Sequence, residues 1–351
     1  AGLVDVMHDL ISDGNSVVLV DHDTQILSVA DHIIEMGPGA GADGGYVIAQ
    51  GTVEEIGNNA DSKIGPYLSG KLQAKLRPQV SADALFAAGS IRLSIGAIHT
   101  VRPLEVSIPK GRLTVVTGVS GSGKTTLILE SLIPALEAEI GGKKLPEHVM
   151  NIEAEGIAQV KLIDATPIGV NVRSTVATYA DVHDELRKIF ARTTEAKARG
   201  YKAGDFSYNT GKLRCPVCDG TGIISLDVQF LPDVEVPCPE CRGSRYGRDA
   251  HSVQYKTSTG RSYSLPDVMA MNVHSAIASC RDMELVCRRL QVLDDLGLGY
   301  LTLGEATPSL SGGEAQRLKL ASEMGRDQND CVFVFDAPTI GLHPSDVKTL
   351  V

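Results

Sequence analysis

Apolar and polar residues follow two different periodicities along this chain. Short β-branched or apolar runs predict buried strands at Val17–Val20, Leu113–Thr117 and Cys331–Phe335, because runs of this length between turn signals are typical of buried strands. Apolar residues at helical spacing predict helices at Thr126–Leu136 and Thr178–Arg192. Strands that alternate with helices indicate an α/β protein.

A glycine-rich stretch between a predicted strand and a predicted helix is the strongest chemical signal. Residues 118–125 read GVSGSGKT, which fits the phosphate-loop pattern G-x-x-x-x-G-K-[ST] in its usual strand–loop–helix context. Backbone N–H groups in such a loop surround phosphate oxygens, the lysine reaches the β- and γ-phosphates and the threonine hydroxyl binds Mg²⁺. The residues expected to bind nucleotide here are Gly118, Ser120, Gly121, Ser122, Gly123, Lys124, Thr125 and Thr126.

Two further features near the carboxyl end fit the same chemistry. Ser311, Gly312 and Gly313 open a predicted helix, and a helix N-terminus of this kind can face a phosphate. Asp336 ends the apolar strand Cys331–Phe335, a position from which a carboxylate can hold Mg²⁺ opposite a phosphate loop.

Four of the seven cysteines form two matched pairs. Cys215 and Cys218, then Cys238 and Cys241, each stand in a Cys-Pro-x-Cys motif, with nineteen residues between the pairs. Two such pairs can close a tetrahedral site with no open position, which predicts structural rather than catalytic zinc. Four free thiols, or a redox pair, are the alternatives.

Composition limits where nucleic acid could bind. The 351 residues are 43% hydrophobic and 22% charged, with a net charge of −10, so a DNA-binding surface must be local. No apolar run reaches membrane-spanning length and no signal peptide leads the chain, which favours a cytoplasmic protein. The segment Glu185–Arg214 is basic with interleaved aromatic residues, and is either a solvated surface or a contact for DNA phosphates. The candidate DNA-contact residues are Arg187, Lys188, Arg192, Lys197, Arg199 and Lys202.

His22 follows the predicted strand Val17–Val20 and has two interpretations. It is either a histidine that packs or caps a helix, or a sensor of the nucleotide γ-phosphate.

The order of the motifs resembles that of the ABC-type ATPases. A phosphate loop precedes Leu310-Ser-Gly-Gly-Glu314, and an apolar strand that ends in Asp336-Ala-Pro-Thr339 follows. The paired cysteine motifs between them narrow the resemblance to the UvrA family. It implies an α/β fold, an ABC-type P-loop ATPase with an inserted, mostly helical signature domain that binds zinc. The stretches that carry the resemblance are residues 65–71, 116–125, 166–169, 215–246, 296–300 and 310–323.

UvrA-like proteins carry two ATPase halves, so the resemblance implies that this chain is a piece of a longer protein. It matches His22 to the histidine switch of the first half. It also implies that the Gly118–Thr125 loop and the Ser311–Glu314 signature serve different nucleotides, because ABC sites are composite. The implied domains are the end of the first half (1–60), a linker (61–90), the second ATPase core (91–170), the signature and DNA-contact domain (171–300, zinc knuckles at 215–241) and the signature helix with the magnesium strand (301–351).

The function implied by the resemblance is that of an ATP-binding subunit that recognises damaged duplex DNA in nucleotide excision repair. ATP, Mg²⁺ and Zn²⁺ are the implied cofactors. A homodimer and a UvrB-like partner are implied too, although the region that docks UvrB is expected outside this chain. Alternatives are a UvrA-like drug-resistance paralogue that protects DNA from intercalators, and a non-hydrolysing, nucleotide-gated scaffold that binds DNA.

Two alanines depart from the family pattern. Ala337 stands where the family has the glutamate that positions the attacking water, and Ala165 stands where it has a glutamine that senses Mg²⁺ and the γ-phosphate. A positioned base is worth about 10²–10⁴ in rate. The sequence therefore predicts impaired hydrolysis at this site, with binding through Lys124, Thr125 and Asp336 retained.

Overall fold

The computed structural model divides the chain into two units. The first unit consists of Ala1–Ala74, Ala165–Met324 and Ala337–Val351, and the second of Lys75–Asp164 and Gly325–Asp336. The structure describes residues 2–39, 44–72, 79–169, 171–226, 234–324, 330–338 and 344.

The helices lie mainly in the first unit. Within the described residues, three short 3₁₀ segments lie between them. The α-helices are α1 (Leu3–Ser12), α2 (Thr24–Leu27), α3 (Val53–Asn58), α4 (Gly65–Leu68), α5 (Ile133–Ile140), α6 (Val176–Tyr179), α7 (Val182–Phe190), α8 (Thr194–Ala198), α9 (Arg248–His251), α10 (Leu265–Met269), α11 (Val273–Ser279), α12 (Glu284–Asp295) and α13 (Gly312–Glu323).

The strands form small separate sheets. In the part of the chain that the structure describes, four are two-stranded, with the orders β1-β2, β10-β9, β11-β6 and β7-β8, and the fifth is three-stranded with the order β4-β3-β5. The strands are β1 (Ile33–Gly37), β2 (Tyr46–Gly51), β3 (Ser90–Ile95), β4 (Leu104–Pro109), β5 (Val149–Glu153), β6 (Gln159–Ile163), β7 (Ile223–Leu226), β8 (Val234–Pro237), β9 (Gln254–Lys256), β10 (Ser262–Ser264) and β11 (Cys331–Phe335).

In the second unit, the β4-β3-β5 sheet packs against the helix that follows the phosphate loop. Leu93, Leu136 and Ile152 are all buried in this core. The parallel pair of β6 with β11 runs in register from Gln159↔Cys331 to Ile163↔Phe335. The predicted strand Cys331–Phe335 is thereby confirmed.

Two predicted strands are wrong. Val17–Val20 and Leu113–Thr117 have no regular secondary structure, and neither joins a sheet within the described residues. Val18 is 92% exposed and Leu113 is 91% exposed. An apolar β-branched run favours extended backbone, but a strand also needs a neighbouring strand to accept and donate its hydrogen bonds.

The predicted helix Thr178–Arg192 is two helices. α6 ends at Tyr179 and α7 begins at Val182, because Asp181 takes a left-handed conformation with φ of 57°, which cannot continue a right-handed helix. Around α7 lies the large core of the first unit, in which Leu186, Phe190 and Leu290 are fully buried.

None of the described helices is both long and apolar enough to span a membrane.

Candidate functional site

The phosphate loop lies in the second unit and is closed by its own lysine. Lys124 Nζ donates to the carbonyl of Gly118 at 2.7 Å and to that of Val119 at 2.9 Å. Gly123 has φ of 92°, and a Cβ there would lie 2.4 Å from Val101 Cγ2. Only glycine therefore fits this position, where the residue 98–101 turn packs on the loop.

The helix predicted after the phosphate loop is confirmed, and its first part is unusual. Thr126–Leu132 is a π-helix, and α5 continues it to Ile140. Ser131 Oγ donates to the Thr126 carbonyl at 2.8 Å, and Thr126 Oγ1 donates to Glu130 at 3.2 Å. Single π turns within helices are frequent at functional sites.

The candidate magnesium ligand Asp336 also lies in the second unit, at the end of β11. Its backbone N–H donates to the carbonyl of Ile163 at 3.1 Å, so the end of β11 is fixed to the end of β6. The next residue, Ala337, has φ of 45°, a conformation that L-residues adopt uncommonly and that is often found near functional sites.

The signature sequence lies in the first unit and starts α13. Ser311 caps the helix, because its hydroxyl accepts from the Glu314 N–H at 3.3 Å while Glu314 Oε2 accepts from the Ser311 N–H at 2.6 Å. Tyr300 Oη donates to Glu314 Oε1 at 2.5 Å. Burial opposes ionisation of Glu314, but these hydrogen bonds hold its pKa below the usual value. The carboxylate therefore fixes the helix start as a charged acceptor.

The four predicted zinc ligands come together. Their Sγ atoms all lie within 4.8 Å of one another, with Cys215 to Cys238 at 3.9 Å and Cys218 to Cys241 at 3.6 Å. Tetrahedral zinc with Zn–S bonds of about 2.3 Å requires sulfur atoms about 3.8 Å apart. The thiol cluster therefore fits a closed structural zinc site.

The pKa values of the cysteine thiols also indicate that a cation is needed to keep all four of them ionised. Burial raises the pKa of Cys215, and raises that of Cys241 to about 12. Burial has the same tendency at Cys218, but hydrogen bonds, foremost that from the Gly222 N–H, lower its pKa to about 7. Four thiolates this close together, three of them buried, become stable only when a metal compensates their charge.

One glycine fixes the first knuckle. Gly220 has φ of 80°, and a Cβ there would lie 1.7 Å from the carbonyl oxygen of Tyr208. No other residue fits without moving the backbone.

Comparisons with known proteins decide the family. UvrABC system protein A from Aquifex aeolicus is 43% identical over 353 residues, which is 99% of this chain and 37% of that protein. The Bacillus subtilis protein of the same name is 42% identical over 99% of this chain and 36% of its own length. The crystal structure of UvrA2 from Deinococcus radiodurans matches with a TM-score of 0.86 and 38% identity, over 99% of this chain and 41% of that one.

The chain belongs to the UvrA family. Its fold is accordingly that of an α/β ABC-type ATPase with an inserted, mostly helical domain that contains a candidate zinc site. The chain spans somewhat over a third of the length of these curated UvrA relatives. No family model matches it.

The basic segment of this UvrA-type chain is partly neutralised. Arg187 pairs with Asp184, and Lys188 Nζ lies 2.7 Å from Glu185. Arg199 donates to Ser252 Oγ at 2.6 Å. Arg192 and Lys197 are exposed, and their side chains make no hydrogen bond within the described residues. Lys202 is exposed as well, and contact of these residues with DNA stays a prediction.

The predicted UvrA switch His22 lies in the first unit, two residues before α2. The carboxylate of Asp21 accepts from the N–H groups of His22 at 2.7 Å and Asp23 at 2.9 Å. The N–H of Asp23, and then that of His22, lower the pKa of Asp21. Asp23 in turn caps α2 through the N–H of Gln25. The role of His22 as a switch stays a prediction.

A buried polar network joins the zinc knuckles to the rest of the inserted domain, and the sequence did not reveal it. His183 Nε2 lies 2.7 Å from Tyr246 Oη, which donates to the Phe206 carbonyl at 3.0 Å. Burial lowers the pKa of His183 to about 3. The Arg245 guanidinium lies over the Tyr208 ring, 5.2 Å from its centroid. The only sequence signal was the closeness of Arg245 and Tyr246 to the last zinc ligand.

Proposed function

We propose that this chain is the part of a UvrA-type protein that binds ATP·Mg²⁺ and damaged DNA during nucleotide excision repair. The observation that carries the proposal is the phosphate loop, whose Lys124 ammonium is held by two neutral carbonyls. A triphosphate offers charged oxygens instead, and charge-assisted hydrogen bonds are about twice as strong as neutral ones. Thr125 and Asp336 would hold Mg²⁺.

The composite arrangement extends this proposal to a second nucleotide. Ser311, Gly312 and Gly313 would close over a nucleotide held by another phosphate loop, and His22 would sense its γ-phosphate. Zn²⁺ bound by the four cysteines would stabilise the knuckles beside the basic segment. The protein would assemble as a homodimer. It would also bind a UvrB-like partner through a region outside this chain.

Nucleotide binding is tested by titrating fluorescent ATP into the protein with Mg²⁺. Lys124→Ala should weaken binding by about tenfold or more, since a hydrogen bond to a charged group contributes about 1.5–3 kcal/mol. Lys144→Ala, an exposed lysine of the same unit, is the matched control and should bind as wild type does. Equal affinity of both variants would refute the assignment of the loop.

DNA binding is tested with matched duplexes, one of them carrying a single bulky adduct. The adducted duplex should bind more tightly, and ATP should alter that preference. Arg192→Ala and Lys197→Ala should each weaken binding to both duplexes and lower the salt slope by about one. Footprints that centre on intercalated drug rather than on adducts would instead favour the drug-resistance paralogue.

A second candidate, the non-hydrolysing scaffold, is favoured by Ala337. Its side chain offers no oxygen to orient water, and its φ of 45° strains glutamate no more than alanine. Ala337→Glu should therefore keep ATP affinity and raise turnover by about 10²–10⁴ if the composite site is complete. Measurable ATP turnover by wild type, equal to that of Ala337→Glu, would exclude the scaffold.

A further inference from the structure

Arg245 lies where the two zinc knuckles meet, in the first unit. It is buried, with 6% of its surface exposed, and its carbonyl accepts from the Cys215 N–H at 2.9 Å. Burial raises the pKa of Cys241, and the backbone N–H of Arg245 opposes this shift through a hydrogen bond. The backbone of this one residue therefore contacts a cysteine of each pair.

The guanidinium of Arg245 is held by groups that carry no charge. Its Nη1 donates to the Val172 carbonyl at 2.8 Å, and the guanidinium lies over the Tyr208 ring, 5.2 Å from the centroid. Its Nε is buried and has no hydrogen-bond partner within the described residues. Tyr208 is fixed in turn by the Thr175 hydroxyl, 3.0 Å from its Oη. These contacts fix the position of the cation, but they do not neutralise its charge.

The charge of Arg245 also lacks a carboxylate partner. Among the residues that the structure describes, no aspartate or glutamate forms an ion pair with Arg245 or is among the main groups that shift its pKa. Burial lowers the pKa of Arg245, and the groups that raise it are Tyr208, Cys218, Tyr246 and Cys241. A tyrosine ionises only near pH 10, whereas a cysteine that binds metal does so as a thiolate. The cysteines are therefore the anionic groups that face this buried cation.

A zinc ion bound by four thiolates has the opposite excess of charge, with a net charge of about −2. Three of its four candidate ligands are buried, so water compensates this charge poorly, and an isolated buried ion of either sign is strongly disfavoured. We propose that Arg245 is the charge-compensating residue of the cysteine cluster: its guanidinium stabilises the anionic zinc complex and is stabilised by it. This inference rests on the proposed zinc site.

Charge compensation differs from packing in its dependence on the metal. A side chain that acts only by its volume stabilises the metal-free and the zinc-loaded domain equally. A compensating cation favours the zinc-loaded form, because burial raises the pKa of Cys215 and Cys241 and so opposes their ionisation without metal. Removal of the charge should therefore weaken zinc binding, rather than lower stability alike in both states.

The test is the zinc affinity of the full chain, measured by competition with a chelating dye. Arg245→Gln removes the charge and keeps a planar N–H donor, Arg245→Met keeps the apolar stem, and Arg245→Lys keeps the charge. Arg248→Met is the matched control, because the Arg248 side chain is 88% exposed and pairs with Glu240 at 2.9 Å, so water screens its charge. Amide hydrogen exchange in α12, in the metal-free and zinc-loaded states, shows whether each variant is folded.

Arg245→Gln and Arg245→Met should each bind zinc about tenfold or more weakly than wild type, since a nearby opposite charge shifts the ionisation of an anion by about one to three pKa units. Arg245→Lys should bind zinc more tightly than either, Arg248→Met should match wild type, and exchange in α12 should be unchanged in all four variants.

Two results would overturn the compensation and assign Arg245 to packing. One is a zinc affinity of folded Arg245→Gln within about twofold of wild type, or an Arg245→Lys protein that binds zinc as weakly as Arg245→Gln. The other is a loss of protection in α12 in both neutral variants, with and without zinc. A wild type that binds no zinc would overturn the proposed zinc site itself.

Discussion

The substitution Tyr246→Phe tests the buried network of the inserted domain. One hydroxyl proton cannot serve two partners, so Tyr246 donates to the Phe206 carbonyl and accepts from His183 Nε2–H. Tyr246 is 2% exposed, His183 is 3% exposed and Phe206 is fully buried. Water therefore cannot replace the hydroxyl at either partner.

The expected loss follows from the two groups left unpaired. Phenylalanine fills nearly the same volume, so the cavity contribution is small. An unsatisfied buried donor or acceptor costs about 1–3 kcal/mol, so the free energy of unfolding should fall by about 2–6 kcal/mol. That is a large part of the total of about 5–15 kcal/mol that is typical of a protein domain.

The measurement is denaturant unfolding of zinc-loaded protein, combined with hydrogen exchange of amides in α7, because two units need not unfold in one step. Tyr46→Phe is the control, since Tyr46 is 66% exposed, and it should change stability by less than about 0.5 kcal/mol. A Tyr246→Phe protein as stable as this control, with unchanged α7 exchange, would refute the hydrogen-bond assignment.

Three further predictions concern pH, metal and backbone. The pKa of His183 falls from 6.5 to about 3 on folding. Because the unfolded state binds the proton more tightly, the free energy of unfolding should decrease below pH 6.5, by about 2 kcal/mol at pH 5. Urea titrations at several pH values should show this decrease in wild type and not in His183→Gln. Cys238→Ser should lower the zinc content measured by atomic absorption and destabilise the knuckles, as a chelator should in wild type. Gly123→Ala should reduce ATP affinity by about tenfold or more, since its Cβ would lie 2.4 Å from Val101. The control is Gly142→Ala, because Gly142 has φ of 59° and no atom lies within 4 Å of its Cβ position. This control should cost only about 1–2 kcal/mol of backbone strain and leave ATP affinity unchanged.

The zinc cluster could be predicted because its information is local. Each Cys-Pro-x-Cys motif already places two thiols on one turn, and only the meeting of the two turns required the fold. The phosphate loop and the capping box of Ser311 with Glu314 are local in the same sense. Each of these two motifs spans at most eight consecutive residues, so the spacing within the motif is enough to predict its chemistry.

The buried network could not be predicted, because its partners are distant in sequence. His183 and Tyr246 are 63 residues apart, and Tyr208 meets Thr175 across 33 residues. A lone histidine or tyrosine carries no local sign of its partner, and the side-chain direction that joins them depends on the packing of α7 against residues 206–208. The same reason hid Arg245, whose contact with Val172 spans 73 residues.

The two strands that the structure lacks show what an apolar run does and does not specify. Val18 and Val20 are 92% and 96% exposed, and Leu113 and Val115 are 91% and 76% exposed. Burying one such side chain is worth about 1.5–3 kcal/mol, so the pattern correctly indicated residues that gain from burial. A ladder, however, also requires a second strand in register, which is a property of two segments and not of one. β6 and β11 satisfy that requirement, and residues 17–20 and 113–117 do not within the described chain. Apolar patterning therefore predicts the tendency of a segment to be buried, and pairing must be established separately.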